Sequence, residues 1–268
     1  VTTTYRNHKK EVADNMSNHN ALYRRIAEKG KCRTEDGGLS IVLPLEYADN
    51  STYQRYSGYD TLNISAVDVL TAAEYAWRQI AVNVTASGLE LRSNSGDSKL
   101  INMAQKKLKN AVKSAANGMS TDIYSDGTLS NQIGGLQALV SDAGTGTVGG
   151  INSSTYSFWQ SLVQSAAAPI QGGAAVTMSA STIENQMLNL WIKLTRGADH
   201  PDLIVMSDDY YAMYEQSQSS LKRYTSEENG KGGMISLKYK NADVFFDTGG
   251  GIAAAHAYFL NTDYLEMV

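Results

Sequence analysis

Residues 37 to 65, GGLSIVLPLEYADNSTYQRYSGYDTLNIS, constrain this 268-residue chain more than any other stretch. Side chains of a strand alternate with period two, so Leu39, Ile41, Leu43, Leu45 and Tyr47 fall on one face, and Ser40, Val42, Pro44 and Glu46 on the other. Pro44 has no amide to give to a ladder, which places this arm at an edge or in a free two-stranded ribbon. A ribbon of that kind is marginal in water and needs a surface to lie on. If the rest of the chain does not supply that surface, a second copy must. The expectation from sequence is that the ribbon is completed by sister molecules.

Hydrophobic content of 42% and charged content of 19% describe a globular protein with one large or two modest domains. With 23 Lys and Arg against 27 Asp and Glu, the formal net charge is -4, so no overall field draws the molecule to DNA or anionic lipid. Cys32 is the single cysteine, which excludes an intrachain disulfide and a multi-cysteine metal site. It reads as a small incidental side chain. No run approaches the ~20 apolar residues that cross a bilayer. A signal-peptide pattern is absent, the chain opens on Val1, and NTDYLEMV stops inside a strand-like pattern, so further residues are expected at both ends.

Residues 1 to 36 are polar and basic, carrying Lys9, Lys10, Arg24, Arg25, Lys29, Lys31 and Arg33. Val12, Met16, Leu22 and Ile26 line short helical pieces that bury little alone, so the segment reads as a solvated or intersubunit arm. Tyr75, Trp77, Ile80, Val82 and Val84 predict a long strand over EYAWRQIAVNVTAS, closing at Ser87 and Gly88. Next comes the strongest helical signal. Leu100, Ile101, Ala104, Leu108, Ala111, Val112, Ala115 and Met119 recur at three- and four-residue steps, predicting a helix over 97 to 120 that is roughly 35 Å long. Lys99, Lys106, Lys107, Lys109 and Lys113 form its wet side.

The turn-rich YSDGTLSNQIGGL ends the helical region, and no charge occurs between Asp142 and Glu184. Helices are expected in SFWQSLVQSAA, in STIENQMLNLWIKLTRG through Ile183, Met187, Leu190, Trp191 and Leu194, and in DDYYAMYEQSQSSL. PDLIVMS reads as a buried strand, DVFFD and AYFLNTDYLEMV as further strands, and ENGKGG and TGGGIAAA as flexible turns. Strand and helix alternate without a βαβ rhythm, so the fold class is α+β.

The chain offers little chemistry. Gly144, Gly146 and Gly149 spell G-x-G-x-x-G, but no acid follows before Glu184 to hold a ribose, so the stretch reads as a mobile loop. Gly230-Lys231 lacks the rest of a phosphate-binding loop. His8, His19, His200 and His256 are scattered without metal spacing, and no G-x-S-x-G elbow exists. Asp208 and Asp209 point in different directions, and Ser207 or Asp208 is better explained as a helix cap. Tyr47, Tyr53, Tyr56 and Tyr59 cluster without a basic background, as amphipathic contact area for protein. No catalytic residue, cofactor or metal is expected.

The order of parts resembles the major capsid proteins of tailed double-stranded DNA bacteriophages, with the Hong Kong 97-type fold. The resemblance rests on DGGLSIVLPLEYADNSTYQRYSGYDTLNIS, ANGMSTDIYSDGTLSNQIGGLQALV, GGINSSTYSFW, HPDLIVMSDDYYAMYE and YFLNTDYLEMV in that order. It implies an N-terminal arm (1 to 36), an extended loop (37 to 65), and a peripheral domain (66 to 125) whose spine helix carries Ile101, Leu108, Val112 and Met119. An axial domain (126 to 250) and a C-terminal strand region (251 to 268, continuing beyond) complete it.

The resemblance further implies a non-enzymatic protein that assembles through pentamers and hexamers in the host cytoplasm into the shell of a virion. Leu39, Ile41, Leu43, Leu45, Tyr47, Tyr53, Arg55 and Tyr56 would then lie on the adjacent subunit. Implied partners are the chain itself, scaffolding, portal and decoration or cement proteins, and packaged DNA as a weak, non-specific neighbour; no membrane is implied. Some members of the family cross-link through a lysine on the extended loop, but residues 37 to 65 have only Arg55, so a noncovalent or cemented shell is expected. The alternatives are an encapsulin-type nanocompartment and, from another class, a nucleotide-binding enzyme using residues 144 to 149.

Overall fold

A computed structural model describes residues 20–93, 97–218, 237–247 and 251–268. In chain order the elements are α1 (Ala21–Glu28), β1 (Ser40–Glu46), β2 (Leu70–Ala76), α2 (Gly88–Ser93), α3 (Asp97–Asp122) and α4 (Leu136–Leu139). There follow β3 (Thr147–Val148), β4 (Ile151–Asn152), a 3-10 turn (Ser157–Trp159), α5 (Ile183–Leu194), β5 (Leu203–Met206), α6 (Asp208–Ser217), β6 (Leu237–Tyr239), β7 (Ala242–Phe246) and β8 (Ala257–Leu260).

The core is a four-stranded mixed sheet in the order β6-β7-β5-β8, in which β5 runs parallel to β7 and antiparallel to β8. All four residues of β5, Leu203 to Met206, are buried. A central strand covered on two faces has no solvent side, which is why its sequence is continuously apolar rather than alternating. Leu203 and Val205 join Phe245, Tyr258 and Leu260 on one face, against Ala21, Leu22 and Ile26 of α1, Ile123 and Tyr124 after α3, and Leu136 of α4. Ile204 and Met206 join Val244 on the other, against Ile183, Met187 and Trp191 of α5 and Tyr211 and Tyr214 of α6. The mixed α+β composition expected from sequence is present, arranged as three layers.

The basic segment departs from the arm reading where it is described. Asn20 caps α1 by accepting from the Tyr23 amide at 2.7 Å, and Leu22, 1% exposed, seals one sheet face. Full burial of such a side chain stabilises by about 1.5–3 kcal/mol. Its cations find acids of the same chain: Arg25 with Asp243 (3.7 Å), Lys29 with Asp202 (2.8 Å), Lys31 with Asp263 (3.5 Å) and Arg33 with Glu266 (3.7 Å). Each partly exposed pair adds little to stability, but together they orient the segment. Residues 1–19, with Val12 and Met16, lie outside the described residues.

α3 spans the predicted helix, yet it buries chiefly its end, through Ala116 and Ser120, while Leu108 stays exposed and Met119 packs against the first core face. Val112 is half-buried, and the side chains of Leu100 and Ile101 lie outside the described residues. Three expectations are corrected. The strand over EYAWRQIAVNVTAS ends at Ala76, and residues 77–87 have no regular structure. SFWQSLVQSAA forms only the 3-10 turn, because Trp159 Nε1 and Gln160 Nε2 donate to the Val148 and Ser153 carbonyls and fix a tight bend. AYFLNTDYLEMV is a strand only over β8; it then turns, and Met267 bridges to Cys32. ENGKGG, the end of DDYYAMYEQSQSSL and residues 248–250 of TGGGIAAA fall outside the described residues.

Candidate assembly surface

β1 and β2 form a two-stranded antiparallel ribbon separate from the core sheet, in register from Ser40 opposite Ala76 to Glu46 opposite Leu70. The second arm thus lies beyond residue 65, and the predicted hairpin is longer than 37 to 65. Beyond the Tyr47 amide, which still donates to the Val69 carbonyl, side chains between the arms bond nearby backbone in place of a ladder. Asn50 Oδ1 accepts from the Thr52 amide, Asp60 Oδ2 from Ser57, and Asn63 Oδ1 from Ser65. Gln54 adds two bonds across the loop, to the Thr61 carbonyl and the Asn63 amide. Short polar side chains of this type give the backbone an alternative to strand pairing.

The ribbon's two faces differ. Ile41, Leu43 and Leu45 stand opposite Tyr75, Ala73 and Thr71, and this face is half-buried, with Ala73 fully buried. The Glu74 amide donates to the Gly149 carbonyl at 2.9 Å, and Tyr47 stacks on Phe158 with ring centroids 5.1 Å apart. The expectation that the greasy face waits for a sister molecule is therefore corrected: the β3–β4 turn of the same chain meets it at Ala73 and Tyr75, and the 3-10 turn meets it at Tyr47, at the loop end of β1.

Exposed apolar surface sits elsewhere. Val42 and Leu70 are exposed on the opposite face, and Tyr53, Tyr56, Tyr59, Leu62 and Ile64 are exposed in the loop between the arms, as is Arg55. Leu39, just before β1, is 96% exposed. A second bare stretch follows β2, where Trp77, Ile80, Val82 and Val84 precede the exposed Leu89 and Leu91 of α2. It is held in place, not loose. Ser87 and Glu90 exchange bonds as a capping box, and Lys107 of α3 bonds the Thr85 carbonyl (2.9 Å) and the Glu90 carboxylate (2.6 Å). Lys107 and the Ser87 amide hold the Glu90 carboxyl below its ordinary range. Exposed apolar residues gathered on a pre-ordered backbone are a feature of contact surfaces.

The glycine motif has another use than the dinucleotide fingerprint. No helix opens on Gly149, which instead turns β3 into β4, and the Gly144 and Gly146 amides already donate to Ser141 O (2.9 Å) and Ser153 Oγ (2.8 Å). A cavity of about 460 Å³ lies between α5, β8 and residues 162–167. At its rim, His256 places one ring nitrogen 3.0 Å from Asp142 and the other 2.7 Å from the Ala254 carbonyl. Burial pulls His256 toward neutrality, but that carbonyl and Asp142 outweigh it, and its pKa is raised. Two acceptors flanking one ring favour the imidazolium.

Ser207 occupies the cap position of α6, yet its hydroxyl engages Asp209 and the backbone of His256 rather than the ring, so no serine–histidine relay forms. Among the described residues, no group of three or more His, Cys, Asp or Glu could hold a metal ion, and no helix is long and apolar enough to cross a membrane. Cys32 is exposed, and partial burial raises its thiol pKa, away from the reactive thiolate.

No family model matches the chain, and no curated protein matches it. Its fold is similar to that of a solved chain of the Cyanophage A-1(L) capsid asymmetric unit, with a TM-score of 0.53 and 17% identity, covering 85% of this chain and 67% of that one.

Proposed function

We propose that this chain is a major capsid protein of a tailed double-stranded DNA phage, with the Hong Kong 97-type fold, that self-assembles through pentamers and hexamers into a genome-enclosing shell. One observation carries the reading: a fold shared with a phage capsid chain bears apolar surface on an extended ribbon and on a pinned irregular segment, both bare in the single chain. In this reading residues 66 to 125 form the peripheral domain around α3, residues 126 to 250 the axial domain, and residues 251 to 268 the C-terminal strand region.

The ribbon remains the intersubunit element, with contact moved outward. Leu39, Tyr53, Arg55 and Tyr56 keep the role expected of them, joined by Val42, Tyr59, Ile64 and Leu70. Burial at ~25 cal/mol per Å² makes each contact worth a few kcal/mol before ordering costs, and closed symmetry repeats it. Weak single contacts let misplaced copies leave. DNA is at most a loosely held neighbour, since Arg25, Lys29, Lys31 and Arg33 are matched within the chain. Scaffolding, portal and decoration proteins complete the reading. Electron microscopy of the purified full-length chain tests it: regular hollow particles are expected, and a chain that stays monomeric at high concentration would refute it.

A further inference from the structure

We infer that the β3–β4 turn is a seat fixing the angle at which the ribbon leaves the body, with Gly149 as its positioning residue. This deepens the capsid reading and rests on it for its consequence, though the seat itself belongs to the single chain.

The turn is a two-residue hairpin, Val148 opposite Ile151, with Gly149 and Gly150 both in the left-handed region at φ +57 and +78. Both therefore favour glycine on backbone grounds. They differ in space. A β-carbon on Gly149 would stand 2.8 Å from Ala73 Cβ and 3.0 Å from Tyr75 Cζ, whereas one on Gly150 meets nothing within 4 Å. The close approach lets the Gly149 carbonyl accept from Glu74 on the outer edge of β2. Trp159 Nε1 donates to the Val148 carbonyl at 3.1 Å, tying the turn to Phe158, which stacks on Tyr47 at the end of β1.

One attachment falls on each arm, Glu74 opposite Val42 and Tyr47 at the loop end of β1, so the ribbon cannot change its tilt without breaking one of them. A seven-residue arm is roughly 24 Å long at ~3.4 Å per residue, so a change of about 10° in the ribbon's tilt shifts one end against the other, and with it the loop beyond Tyr47, by about 4 Å. That exceeds the tolerance of a packed contact. The seat thus decides where the bare loop lands on a neighbouring copy, and through that the uniformity of particle size.

Gly149→Ala and Gly150→Ala in the full chain separate the collision from backbone strain. Hydrogen exchange of the Glu74 amide, read in unassembled protein, is expected to lose about tenfold protection in Gly149→Ala and to stay within about twofold of the parent in Gly150→Ala. Equal loss in both, or loss in neither, overturns the seat. Should Gly149→Ala fail to fold, Phe158→Leu removes the Tyr47 stack without touching the turn; about threefold loss at Glu74 is expected, and none would count against it.

Particle diameters by electron microscopy give the second readout. A broadened or absent population for Gly149→Ala alone supports the link to assembly, and unchanged diameters with Glu74 exposed overturn that link. If the parent chain forms no particles while the Glu74 pattern holds, the shell reading fails and the seat stands.

Discussion

The core sheet and the ribbon are built from similar residues and finish in opposite states. LIVM of β5 is covered on both faces by helices of its own chain, whereas SIVLPLE of β1 has one face half-covered and the other open. What separates them is the number of neighbouring layers. A strand with two layers is complete, and one resting on a pair of turns is covered on one face alone. The contrast repeats within the ribbon, where Ala73 is fully buried while Tyr59 and Ile64 stand in solvent.

Charge placed at matched positions tests that contrast most severely. Val244→Asp would bury an unpaired carboxylate between two core strands, and thermal unfolding should show a loss of about 4 kcal/mol or more, or no folded protein. Ile41→Asp combined with Leu43→Asp should cost about 2 kcal/mol and weaken the Tyr47–Phe158 stack, visible in near-ultraviolet dichroism, because this face is half-covered by its own chain. No change in either signal would mean that this face is not seated on its own chain.

A smaller effect belongs to His256 at the rim of the core. Its raised pKa means the Asp142 contact stabilises fully below the ordinary histidine value and fades as pH rises through the folded one. Melting from about pH 5 to about pH 9 should therefore show the parent losing its advantage over Asp142→Asn with rising pH. Parallel curves would remove the imidazolium from the account. The smallest effect on folding is expected from Tyr59→Asp with Ile64→Asp, which should leave stability within about 0.5 kcal/mol while cutting assembly at least about tenfold. A large drop in melting temperature would show the loop to be part of the core.

The core was legible because its signals are local. The run LIVM, the stripe Ile183, Met187, Leu190 and Trp191, and the helix over 97–122 each declare their element without reference to distant residues. Leu22 and Ile26 supply one helical turn of apolar spacing, and their partners Ile123 and Tyr124 lie about a hundred residues away, so a structural segment reads as an arm. β2 is legible only over Glu74–Ala76, because LTAAEYA alternates among small side chains, while the stronger alternation of Ile80, Val82 and Val84 belongs to a stretch with no ladder. Extended patterning reveals backbone shape, not pairing.

Within the candidate surface, Tyr53 and Tyr56 read from sequence as amphipathic contact area and stand exposed, whereas Leu39 reads as part of the greasy strand face but precedes β1 and is exposed. Gly149 was visible only as part of a motif with a better-known use; its purpose depends on Ala73 and Tyr75 arriving from elsewhere in the chain. Phe158 likewise gave no signal of its own, since an aromatic beside Trp159 reads first as the start of a helix.

Tyrosine footprinting of Tyr53, Tyr56 and Tyr59, in the isolated chain and in purified particles, addresses the central claim most directly. Modification of all three should slow by about tenfold on assembly, because another copy covers the loop. Closed particles in which these tyrosines react as fast as in the free chain would contradict the account.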